Sequence, residues 1–238
     1  MALVDFPVSL AVAAPSRARF VELRNEILAA YPAVQDVYFW PILEQTEGYY
    51  AGPLSSPSGL KRAMSEAQGL PTLWDLEFPR APAKPQWNNW LDNRSELASW
   101  LAQRDTPVHV WRTYAFLGLD PLPLRLAGFH FDPSNYPWVW LHLDLYRRGQ
   151  GLPHALTARI MRCGVERYGE HFIPSLGVLD DGQGSPDEFV SPAGLQGDLE
   201  AARAAGVSQV WLFGLNGLNA EYLAALHASL PLQDLPAQ

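Results

Sequence analysis

The strongest constraint in this sequence is a rhythm. Short apolar runs rich in β-branched and aromatic residues alternate with longer amphipathic stretches along the chain. The short runs predict strands at 7–13, 37–43, 72–78, 108–114, 138–146, 172–179 and 209–215. Helical periodicity follows most of them. The stretch 16–31 opens on Ser16, 58–68 stops before Gly69, and 93–104 starts with Asn93 and Glu96 in capping-box spacing. The stretch 153–168 has Pro153 in its first turn and Gly169 past its end, while 192–205 and 219–230 stop at Gly206 and Pro231. Sustained strand–helix alternation is the mark of a parallel α/β fold. The expectation is a (β/α) TIM-barrel-like domain of seven or eight parallel strands, the eighth lying in 122–131. An open doubly wound sheet is the alternative, but no Gly-x-Gly-x-x-Gly follows the first strand and no P-loop is present.

A chain of 238 residues fits one such barrel over residues 1–238, since these barrels take ~250 residues. At 48% hydrophobic and 18% charged residues, the chain has ample material for a core. A net charge of −8, with 17 Lys plus Arg and no basic run, argues against nucleic acid or an anionic membrane surface as the partner. No apolar stretch is long enough to span a bilayer. Cys163 stands alone, so no disulfide forms within the chain. The start, Met-Ala-Leu-Val-Asp-Phe-Pro, lacks the charge pattern of a secretory signal. A cytoplasmic location is expected for the chain as written, or export if a signal was removed. The 9 Trp and 9 Tyr point to a heavily packed core or to a site that stacks flat apolar faces such as sugar rings.

In a parallel barrel the working site lies at the C-terminal ends of the strands, and strand side chains alternate between the two faces. On the third strand Trp74, Leu76 and Phe78 form one face, and Leu73, Asp75 and Glu77 the other. The two carboxylates are then neighbours, ~6.5 Å apart along the strand. An acid beside an ionised partner is a workable general acid. The fifth strand repeats the pattern: Val139, Leu141, Leu143 and Leu145 are aliphatic, and Trp138, Trp140, His142, Asp144 and Tyr146 oppose them. Tyr38 and Trp40 end the second strand, and Asp181 follows the sixth. The fourth strand offers His109, Trp111, Arg112 and Tyr114, whose facing alternation does not settle. The candidate site is therefore Glu77 and Asp75 with Trp40, Tyr38, Trp140, His142, Asp144, Tyr146, Arg112 and Asp181. Against it stands the plain reading of an ionic pair that holds a loop, and of Asp180-Asp181-Gly182 as a turn.

The segment Trp74-Asp75-Leu76-Glu77-Phe78-Pro79 resembles the end of the signature of family 18 glycoside hydrolases, the chitinase-like barrels. The resemblance covers about six residues, and Leu70 and Leu73 stand where that signature has acids. An Asp-x-Glu on a central strand is also similar to the family 25 lysozyme-like barrels. The resemblance implies a glycoside hydrolase in which Glu77 protonates the glycosidic oxygen and Asp75 orients the substrate's acetamido group. It implies a carbohydrate ligand and needs no cofactor or metal.

Two other functions compete. One is a divalent-metal-dependent barrel resembling sugar isomerases and endonucleases, with Glu77, His142, Asp144 and Asp181 as ligands; no His-x-His spacing supports it. The other is a barrel that binds glycans without cutting them.

Overall fold

The computed structural model describes residues 4–79, 82–112, 122–146, 151–179 and 189–229. The chain divides into two compact units, Val4–Leu143 and Asp144–Gln238. Strands and helices alternate along each, as expected for an α/β fold.

The first unit carries β1 (Val8–Ala14), α1 (Arg17–Ala30), β2 (Val34–Pro41), α2 (Pro57–Ala67), β3 (Thr72–Leu76), α3 (Trp90–Ala102), β4 (Val108–Arg112), α4 (Leu122–Ala127) and β5 (Val139–Asp144). Successive strands pair in parallel from β1 to β5. Alternation decides which side faces the helices. Phe39, Trp74, Leu76, Val108, Val110, Val139 and Leu141 are all buried. Phe39 packs on Phe20 of α1 with ring centroids 5.0 Å apart, and Trp74 on Trp100 of α3 at 4.6 Å.

Arg104 joins α2, α3 and the sheet. Its guanidinium is buried, donates to the Ala67 carbonyl (3.1 Å) and the Leu70 carbonyl (2.5 Å), and bonds Thr106 Oγ1. It thus adds a charged donor to the Ala67 carbonyl, which also accepts the Leu70 N–H, and to the Leu70 carbonyl, which also accepts from Thr72 Oγ1. The cation also lies 4.7 Å over the Trp100 ring. Burial lowers its pKa, an effect that the nearby Asp105 charge opposes.

In the second unit α5 (His154–Tyr168), β6 (Phe172–Val178), α6 (Pro192–Ala204), β7 (Trp211–Phe213) and α7 (Ala220–Ser229) follow in turn. β6 and β7 are parallel, and Leu145, just past β5, donates its N–H to the Ser175 carbonyl of β6 at 2.9 Å. Ser191 caps α6, and the Asn219 side chain accepts from the Glu221 and Tyr222 N–H groups at the start of α7. Gly164 lets α5 lie against β6: a Cβ there would meet the Phe172 ring at 2.5 Å.

All seven expected strands are present, with ends shifted by a few residues and β7 reduced to three. Two expectations are corrected. The segment 122–131 holds no eighth strand. It forms α4, because Pro123 sits in a first turn and Gly128, at φ +79°, closes the last one. The Phe129 N–H returns to the Leu124 carbonyl at 2.8 Å. Asn93 is not a cap either. It lies inside α3, which begins at Trp90. Its amide instead donates to the Pro53 and Ser55 carbonyls, both at 3.0 Å.

Candidate functional site

Strand register collects most candidate residues of the first unit on one face. Leu73, His109 and Trp140 lie side by side across β3, β4 and β5. One step nearer the C-terminal ends, Asp75, Trp111 and His142 form the next row. Phe39 pairs with Thr72, so Tyr38 and Trp40 of β2 share the face of Leu73. The same face of β1 carries only Ser9, Ala11 and Ala13, opposite Asp36, Tyr38 and Trp40.

The two acids differ in setting. Asp75 is 7% exposed, within β3 and level with Trp111. Glu77 follows the last paired residue, Leu76, and is half-buried. Beside it, Phe78 is 58% exposed and stacks on the buried Phe129, with centroids 5.1 Å apart and 15° between planes.

Beneath the acids lies a cluster of rings. His109 Nδ1 and His142 Nε2 are 2.6 Å apart, one of them donating to the other. Trp140 stacks on His109 (5.6 Å, 12°), Trp111 stacks on His142 (6.1 Å, 23°), and Tyr38 meets His109 edge-on at 4.4 Å. Burial pushes the His109 pKa down to about 3. Burial, reinforced by His109, pushes His142 well below the usual histidine value. Burial, then the Asp36 charge, raises the Tyr38 pKa. At neutral pH the cluster is therefore uncharged, an apolar and hydrogen-bonding floor next to two carboxyl groups.

The structure separates the expected set. Asp75, Tyr38, Trp40, Trp140 and His142 share one face, with Glu77 just beyond it. Arg112 does not: it pairs with Leu76 and Leu143, which puts it on the helix-side face. Asp144 is buried and Tyr146 half-buried in the second unit. Asp181 and Tyr114 lie outside the described residues.

His109 and Trp111 are the additions. Their signal was Val108 and Val110, which alternate with them as the aliphatic residues of β5 alternate with Trp140 and His142. Arg112, polar on the aliphatic side, hid it.

Among the described residues no three His, Cys, Asp or Glu side chains form a group that could hold a metal ion. Among the same residues no helix is long and apolar enough to cross a membrane. No protein-family model matches the chain, and no curated protein matches it significantly.

Proposed function

We propose that this protein is a glycoside hydrolase acting on a glycan, with Glu77 as general acid and Asp75 as its partner. One observation carries the reading. Two carboxyl groups sit at the C-terminal end of β3, and the face that holds Asp75 also carries Tyr38, Trp40, Trp111 and Trp140 beside Leu73, His109 and His142. Parallel α/β folds bind ligands beyond the C-terminal ends of their strands. Flat aromatic surfaces suit the apolar faces of sugar rings.

In this mechanism Glu77, the more accessible acid, protonates the departing glycosidic oxygen. Asp75 orients the substrate's acetamido group, the role that the family 18 resemblance implies. His109 and His142 stay neutral and take no proton from the reaction. The seven strands belong, on this reading, to one (β/α)-barrel-like domain over residues 1–238.

Hydrolysis of chitotetraose by wild type and by Glu77→Gln tests the proposal. Removing a general acid should lower kcat by about 10²- to 10⁴-fold and leave KM nearly unchanged. An unchanged kcat in Glu77→Gln, or no hydrolysis by the wild type, ends it.

A further inference from the structure

β1 is the least covered strand of the first unit. Every residue of β3 and of β4 is buried, whereas Ala14 alone is buried in β1. Val8, Leu10, Ala11 and Val12 stay half-exposed, and Ser9 and Ala13 are exposed. The next helix, α1, buries only Phe20. Among the described residues β1 pairs with β2 and stands at the edge of its sheet. Its outer side therefore presents backbone N–H and C=O groups in a row, which is a template for a further strand.

Folded proteins blunt such edges with lysine, proline or a very short strand. β1 uses none of these: its seven residues hold neither a charge nor a proline, in a chain that is 18% charged. A register shift at Val8/Ser9 touches only its start. Charges stand past its two ends, Asp5 before it and Arg17 and Arg19 after it, all exposed. Arg17 is anchored there, its N–H on the Glu66 carboxylate at 2.8 Å and its guanidinium on the Gln68 carbonyl at 2.7 Å.

These features select the occupant. A second copy laid antiparallel sets neutral strand on neutral strand, so no charge meets its like along the pair. It also carries the acidic end of each strand to the basic end of the other, twice over by symmetry. We propose that β1 is a self-association surface: two copies pair antiparallel through β1 about a two-fold axis near Ala11, with Asp5 of each copy toward Arg17 of the other. The half-exposed aliphatic residues of β1 are covered in that contact. The inference stands apart from the hydrolase reading, and each can fail without the other.

Sedimentation velocity over a wide range of protein concentration, with the Tm of each variant, tests it. The wild type should be a reversible dimer. Asp5→Arg and Arg17→Asp should each weaken dimerisation by about tenfold or more, because each change acts twice, and the double variant should recover most of the loss. Ala13→Lys puts a cation on an exposed edge position and should give a folded monomer. A wild type that is monomeric at every concentration overturns the proposal. So does a dimer that Ala13→Lys leaves intact, or a double variant no better than the single ones. If Ala13→Lys fails to fold, the charge swap decides by itself.

Discussion

Mild acid should destabilise this protein through its paired histidines. In the fold His109 is 4% exposed and His142 fully buried, and each is held neutral. The unfolded chain restores an ordinary histidine pKa of about 6.5. Between that value and the folded value of about 3, the unfolded state binds more protons than the native state. Stability therefore falls as pH drops through this window, and it is unaffected by the pair above the unfolded pKa. At pH 5 the neutral His109 should cost roughly 1.36 × 1.5, or about 2 kcal/mol, a sizeable share of the ~5–15 kcal/mol that holds a typical domain. His142, held neutral by burial and by His109, adds to the loss in the same direction. Urea unfolding at pH 7 and pH 5, followed by tryptophan fluorescence, measures the loss. A His109→Gln/His142→Gln double variant keeps groups that donate and accept but do not titrate, so other acid effects cancel in the comparison. If the double variant loses as much stability between the two pH values as the wild type, the reasoning is wrong.

Two further outcomes follow from packing. Arg104→Ala should cost about 3 kcal/mol in urea unfolding, because the Ala67 and Leu70 carbonyls lose a charged donor inside the protein. Arg104→Lys keeps the charge but not the fork that reaches both carbonyls, so it should cost less than Arg104→Ala but still destabilise; a lysine variant as stable as the wild type would count against the fork. Gly164→Ala puts a Cβ 2.5 Å from the Phe172 ring and should destabilise by about 1–3 kcal/mol, although alanine is the better helix former. A stabilised Gly164→Ala would show that α5 and β6 part without cost.

Much of this was legible in one dimension because it rests on local periodicity. The seven strands announced themselves as short β-branched and aromatic runs, and the faces of β3 and β5 as alternation. Asp75 and His142 were assigned to a shared side from that alternation, and the register across β3, β4 and β5 agrees. Where two periods fitted, local reading failed. Leu122, Leu124 and Leu126 alternate like a strand, yet Pro123 and Gly128 bound a helical turn. Asn93 has the right neighbours for a cap, but its amide serves two carbonyls some 40 positions earlier, which spacing along the chain does not reveal.

The sequence by itself determined the α/β class, the strands and which strand residues share a side, because each is set by steric periodicity within a few residues. Tertiary structure alone decided the partners. It joined His109 to His142 across two strands, removed Arg112 from the face of Asp75, and brought the Gly52 loop against Glu77. It also made the histidines neutral, since a pKa answers to burial, and burial is a property of the whole packed unit.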